Sequence, residues 1–185
     1  MKYYIDFDNT IFDTVSFYDD LLKILYDGGI TKEYIDNYYQ EKGMDPLKLI
    51  YSIKDLDVQN KALNHFNDTN KYLYQDAIDF LNSKKDSEFI LYTNGYLEYQ
   101  IKKIVNSKIL KHFKNVIISE SDKTKLDIDY TKGIFIDDNV DVLKSLLLKN
   151  AKKVYRVKRN NNRHSEAIYN DEKIIEINNM KEIKD

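Results

Sequence analysis

The chain has 185 residues, room for one domain or for one domain with a modest insertion. Its 29 Lys plus Arg nearly cancel 31 Asp plus Glu, so bulk charge calls for neither a nucleic acid polymer nor a membrane surface as partner. It contains no cysteine, which excludes disulfides, thiolate metal sites and cysteine nucleophiles. It also lacks a run of about 18 apolar residues and an apolar N-terminal signal, so a cytoplasmic protein is the expectation.

Residues 3–5 form a short apolar, β-rich run that ends abruptly in acid: Asp6 and Asp8 lie two apart, with a hydroxyl at Thr10. From about 15 to 74 no strand pattern occurs. Apolar residues recur at helical spacing over 17–26 and 34–39, divided by Asp27-Gly28-Gly29 and by Gly43-Met44-Asp45-Pro46, which holds the only proline. This interval predicts a helical insertion directly after the first strand, in which Tyr34, Tyr38 and Tyr39 read as packing residues. Residues 1–14 and 75–185 are left as an α/β core. Apolar runs at 89–92, 116–118, 134–136 and 154–157, with a weaker one at 174–177, alternate with helix-like segments at 76–84, 97–107 and 140–148. Near-continuous apolar runs suit strands covered on both faces, and the alternation predicts a parallel, three-layer sheet. In the 97–107 segment, Ile101, Ile104 and Val105 mark the expected buried face. The basic stretch 159–164 reads as a solvated turn, Asp13 as a turn or capping residue, and His65, His112 and His164 as isolated bystanders.

Sites in open parallel sheets form beyond the carboxyl ends of the strands. Three of these ends are polar here: Asp6, Asp8 and Thr10; then Thr93-Asn94-Gly95; then Asp137-Asp138-Asn139. Asp122-Lys123-Thr124-Lys125 follows the third strand. Massing carboxylates at buried strand ends is costly unless a cation is shared, and ligand sets made only of oxygen suit Mg²⁺. A calcium loop starting at Asp6 would need glycine and glutamate where Ile11 and Phe17 stand. Acids, a hydroxyl, a lysine and a cation are together the parts needed for phosphoryl transfer.

Asp6-Phe7-Asp8-Asn9-Thr10 resembles the first motif of the haloacid dehalogenase (HAD) superfamily, Asp-x-Asp-x-Thr. Thr93 resembles the second motif, Lys123 or Lys125 the third, and Asp137-Asp138 the fourth, in family order and over nearly the whole chain. Asp-Lys-Thr followed by Ile-Asp-Asp-Asn is similar to the 5′(3′)-deoxyribonucleotidase branch. The resemblance implies a Rossmann-like core with a type 1 cap at 15–74 and a Mg²⁺-dependent phosphatase. Asp6 would be the nucleophile and Asp8 the acid and base. Asp6, Asp138 and the Asp8 carbonyl would hold the metal, with Asp137 beside it, and Thr93, Asn94 and the lysine would hold phosphate. Of the two lysines, Lys123 lies nearer the third strand. A lid of this size predicts a small phosphorylated metabolite as substrate, a mononucleotide being one candidate, with hinges near 13–16 and 70–75. The rival is a non-catalytic phospholigand-binding domain on the same fold, which would have no need of a second carboxylate.

Overall fold

A computed structural model describes residues 1–159, 164, 166 and 171–184. Among them, six strands form one parallel sheet: β1 (Lys2–Ile5), β2 (Glu88–Asn94), β3 (Asn115–Ser119), β4 (Ile134–Asp137), β5 (Lys153–Val157) and β6 (Ile174–Ile177). The order is β3-β2-β1-β4-β5-β6. β1 is therefore central, with Ile5 in register with Leu91 of β2 and with Ile136 of β4. This register brings the acidic ends of β1 and β4 side by side. The weak sixth run is a full member of the sheet.

Alternation along the strands sends neighbours to opposite faces. Tyr3 and Ile5, Phe89 and Leu91, and Ile134 and Ile136 pack on one face. Tyr4, Ile90, Tyr92 and Phe135 pack on the other, against Val140, Leu143 and Leu146 of α7 (Val140–Leu148). The first face is covered by α5 (Gln75–Ser83), through Ala77, Phe80 and Leu81, and by Ile104 of α6 (Leu97–Asn106).

Four helices lie between β1 and α5: α1 (Thr14–Asp27), α2 (Lys32–Lys42), α3 (Pro46–Ser52) and α4 (Leu56–Asn64), followed by a 3₁₀ segment at His65–Tyr72. The sequence pattern marks the first two within the helical interval; α3 and α4 are not marked individually. Aspartate starts three of the four helices: the Asp13 carboxylate accepts from the Ser16 N–H (3.0 Å), Asp45 from Leu47 (3.0 Å) and Asp55 from Asp57 (2.9 Å). The helical segment shares one continuous core with the sheet, since Phe17, Leu21, Leu47, Ile50 and Ala62 belong to the same buried cluster as Tyr3 and Ile5. A chain of ring contacts carries that continuity: Phe7 stacks on Phe12 (4.8 Å between centroids), Phe12 meets Phe17 at a tilt (5.5 Å) and Phe17 meets Phe66 edge-on (5.1 Å). At its neck the segment leaves and returns as adjacent strands of chain. Asp13 N–H donates to the Tyr72 carbonyl (2.8 Å) and Tyr74 N–H to the Ile11 carbonyl (2.9 Å).

Two readings of the sequence are corrected. Ile101 and Val105 of α6 are about half exposed, while Gln100 and Lys103 on the same helix are buried, for a reason that lies in the site. Arg159 does not belong to a solvated turn: it is buried, paired with Asp76 (3.0 Å), donates to the Thr10 carbonyl (2.9 Å) and stacks on Tyr74. Asn160–Arg163 of the same stretch lie outside the described residues. Among the described residues no helix is long and apolar enough to cross a membrane.

Candidate active site

β1 stops at Ile5, and the chain turns at once. The Phe7 carbonyl accepts from the N–H groups of Ile11 and Phe12 (both 3.0 Å), and Asn9 takes φ of 55°, a left-handed conformation that asparagine tolerates well. Asp6 N–H still donates to Ile136 O (2.9 Å), which prolongs the β1–β4 ladder by one residue. The result is that Asp6 and Asp8 open into one polar cavity of about 170 Å³, shared with Asn94, Lys123, Asp137 and Asp138.

Lys123 is the cation at the centre of this cluster. It lies on a 3₁₀ turn, Lys123–Lys125, which begins at Asp122, where the Asp122 carboxylate accepts from Thr124 N–H (2.9 Å). Its ammonium contacts Asp6 and lies 2.7 Å from Asp137. It also donates to the Tyr92 carbonyl (3.2 Å). Burial works against its charge, but Asp137 and Asp6 outweigh burial and hold its pKa above the ordinary lysine value. Lys125 points outward and lies 3.7 Å from Asp122. Between Lys123 and β4 the described chain holds only 3₁₀ turns, which accounts for the short spacing of the two motifs.

Asp8 has a wholly different set of neighbours. Lys103 contacts it from α6, Gln100 donates from the same helix (2.5 Å), and the Thr14 hydroxyl donates from the first turn of α1. Burial would raise the Asp8 pKa, but Lys103 and these hydrogen bonds overcome it and hold the carboxyl below its usual range. Burial also leaves Lys103 below the ordinary lysine value despite Asp8 beside it. With three donors converging on one carboxylate, the ion pair is the form the geometry supports. Gly95 makes this possible. Its φ is 147°, and a Cβ there would come within 2.6 Å of the Gln100 amide nitrogen. Neither Gln100 nor Lys103 was visible as a site residue in the sequence. The signal was faint: two polar residues on the helix face that also carries Tyr99 and Ile104, where apolar residues would be expected.

The remaining candidates divide. Thr93, the last residue but one of β2, is buried with its hydroxyl lacking a hydrogen-bond partner, and Thr10 is likewise buried without one. Asn94 is exposed and lines the cavity, and its carbonyl accepts from Gln100 (2.9 Å). His164 also lines the cavity and so is not isolated from the site, whereas the His65 ring faces the Phe17 carbonyl (2.9 Å) and stacks on Phe17.

Asp6, Asp137 and Asp138 each offer a carboxylate oxygen within 4.8 Å of the others, and all three are buried. Asp137 is already engaged, by Lys123 and by the Asn139 N–H (2.9 Å). Asp138 keeps one buried oxygen with no partner. Burial, with Asp137 and Asp6 nearby, pushes the Asp138 carboxyl far above the usual range. Burial also raises Asp6, and Asp137 and Asp8 add to this against the pull of Lys123. Uncompensated negative charge on a hard-oxygen donor set fits Mg²⁺, and the orphaned Asp138 oxygen is where such an ion would be received.

No protein-family model and no curated protein matches the chain. Solved structures do. A haloacid dehalogenase-like hydrolase from Burkholderia xenovorans superposes with a TM-score of 0.69 at 14% identity, over 97% of this chain and 92% of that one. The HAD hydrolase YfnB from Bacillus subtilis, solved with magnesium, superposes with a TM-score of 0.63 at 16% identity, over 98% and 95%. The chain has the haloacid dehalogenase-like fold. A predicted phosphatase from Clostridium acetobutylicum shares this HAD-like fold at a TM-score of 0.52 and 16% identity, over 84% of this chain and 83% of that one. The acid-bearing ends of β1 and β4 thus stand on the parallel sheet of a HAD-like architecture.

Proposed function

We propose that this chain is a Mg²⁺-dependent hydrolase of small phosphomonoesters, with a mononucleotide among its candidate substrates. The observation that carries the reading is the opening of Asp6 and Asp8 into one cavity, with separate lysines on each and a buried acidic cluster beside them. Asp6 attacks phosphorus, the bond from phosphorus to the ester oxygen breaks, and Asp8 protonates the departing oxygen. Asp8 then takes a proton from water, the water oxygen attacks phosphorus, and the acyl-phosphate bond to Asp6 breaks, so that ester and water become alcohol and inorganic phosphate. Lys123 favours the ionised nucleophile. Thr93 and Asn94, with Lys123, take the phosphate oxygens. Asp6 and Asp138, with the Asp8 carbonyl and with Asp137 alongside, would hold Mg²⁺, which supplies charge neutralisation for the transferring phosphoryl group. The helical segment 15–74 serves as a cap over this end of the sheet.

The donors around Asp8 favour its ionised form, which suits the second half-reaction. Delivery of a proton in the first half works against them, so esters with poor leaving groups should be the slower substrates. The test is release of phosphate from 4-nitrophenyl phosphate with Mg²⁺, with EDTA, and with Mg²⁺ restored. Turnover that disappears with EDTA and returns with Mg²⁺ is expected. Tight phosphate binding without turnover would favour a phospholigand-binding domain instead.

A further inference from the structure

A second cavity, of about 470 Å³, adjoins the polar one, and Asp8, Asn9 and Asn94 line both. Its walls come from the helical segment and from the start of α6: the rings of Tyr18, Tyr39, Tyr96 and Tyr99, with Met44 and Pro46. We infer that this cavity is the subsite for the leaving group and that it selects phosphomonoesters with a single phosphate and an uncharged, ring-bearing leaving group. The inference rests on the phosphatase reading above and adds to it a substrate class.

The seam between the cavities fixes the orientation. Asp8 protonates the ester oxygen in the proposed reaction, so that oxygen lies at the seam. The phosphoryl group then sits on the side of Asp6 and Lys123, and the rest of the ester on the side of the tyrosines. The volume is within the range of about 300–1,000 Å³ typical of small-molecule pockets, enough for a ring system rather than a two-carbon stub. The tyrosines present ring bodies more than free polar groups. The Tyr18 hydroxyl donates to that of Tyr39 (3.1 Å), and burial pushes the Tyr39 hydroxyl far above its ordinary pKa. Flat aromatic faces and a thioether favour a flat apolar guest.

Charge sets the second half of the selection. No lysine or arginine is among the lining residues, and the charged groups that line the cavity are Asp8 and Asp19. Lys103 lies 4.4 Å from the Tyr99 ring centroid, but its ammonium is engaged by Asp8. Lys48 lies 5.8 Å from the centroid of the Tyr96 ring and 3.7 Å from Asp45. A second phosphate or a carboxylate on the leaving group would meet Asp19 and an Asp8 whose partner Lys103 is already engaged, with no cation lining the cavity to receive it. Bisphosphates and phosphorylated acids should therefore be poor substrates even though their reacting phosphate is the same.

The experiment compares kcat/KM, with Mg²⁺, for phenyl, 2-naphthyl and 4-carboxyphenyl phosphates and for acetyl phosphate. Phenyl and naphthyl phosphates should exceed the carboxylated ester by at least about tenfold, a difference of about 1.4 kcal/mol. Asp19→Lys, at an exposed position, should narrow that gap. Tyr39→Ala should lower the ratio of naphthyl to acetyl phosphate turnover. Equal or faster hydrolysis of the carboxylated ester, or ratios unmoved in both variants, would overturn the inference while leaving the phosphatase standing. Hydrolysis of none of the esters would reject the phosphatase reading, and this inference with it.

Discussion

Asp6 and Asp8 are two residues apart in the chain, yet they sit in opposite environments. Around Asp6 the neighbours come from the sheet: Lys123 beyond β3, and Asp137 and Asp138 at the end of β4. The balance there is short of positive charge, and the Asp6 and Asp138 carboxyls are pushed up. Around Asp8 the neighbours come from helices, Gln100 and Lys103 of α6 and Thr14 of α1, and its carboxyl is pushed down. Two carboxylates driven apart in this way are suited to different tasks. The side that lacks positive charge is the one prepared for a metal ion and a nucleophile, and the side already neutralised is the one prepared for proton traffic.

The largest effects should come from removing the two carboxylates themselves. Asp6→Asn should reduce phosphate release to background while the far-ultraviolet circular dichroism is unchanged. Asp8→Asn should lower kcat by about 10²–10⁴-fold with an alkyl phosphate and by less with 4-nitrophenyl phosphate, whose leaving group needs little help from an acid. Equal losses on both substrates would remove Asp8 from the acid role. Next in size are the acids on the metal side. Asp138→Ala should raise the Mg²⁺ concentration needed for half-maximal turnover far more than Asp137→Ala, because Asp137 is engaged by Lys123 and the Asn139 N–H while Asp138 keeps an orphaned oxygen. The reverse ranking in a metal titration would exchange their roles.

A smaller effect separates positioning from mere packing on the Asp8 side. Lys103→Met keeps the bulk of a buried side chain and removes its charge. The Asp8 pKa should rise, so the acid limb of the kcat profile should move to higher pH, since Asp8 must be ionised to take a proton from water. A uniform loss at every pH would mean that Lys103 only fills space. The smallest effect is on stability. A carboxyl whose folded pKa is raised keeps its proton after the unfolded chain has lost it. Metal-free protein should therefore lose stability as pH rises from the ordinary carboxylate range towards about 7 for Asp6 and about 9 for Asp138. Mg²⁺ reverses that penalty, so it should raise Tm more at about pH 8.5 than at about pH 5.5. A shift independent of pH would contradict the charge deficit on the Asp6 side.

The Asp6 side was legible in the sequence and the Asp8 side was not, for a physical reason. Strand β1 and strand β4 are short apolar runs cut off by acid, and a parallel sheet aligns their ends without further information. Lys123 follows β3 closely enough to be found in the same way. Lys103 and Gln100 stand inside an amphipathic helix in which Ile104 is buried as expected but Ile101 and Val105 are about half exposed. Only the approach of α6 to the Asp8 loop, across a glycine with positive φ, buries Gln100 and Lys103 beside Tyr99 and Ile104. The short helices α3 and α4 were missed because their burial depends on the core they share with the sheet rather than on a stripe of their own. Tyr38 and Tyr39 pack against the core as expected, Tyr39 while also lining the second cavity, but Tyr34 is exposed and stands outside that core.

The central claim is that Asp6 becomes covalently phosphorylated, and the most direct measurement is mass spectrometry of protein quenched in acid during turnover of 4-nitrophenyl phosphate with Mg²⁺. The account predicts a single phosphoryl group on the peptide that contains Asp6, absent with EDTA and absent in Asp6→Asn. Because Asp8 takes the proton from water in the second half-reaction, the phosphoryl group should accumulate further in Asp8→Asn when the leaving group is good. Steady turnover with no phosphorylated peptide in either Asp8→Asn or the unsubstituted protein, or phosphorylation that persists in Asp6→Asn, would contradict it.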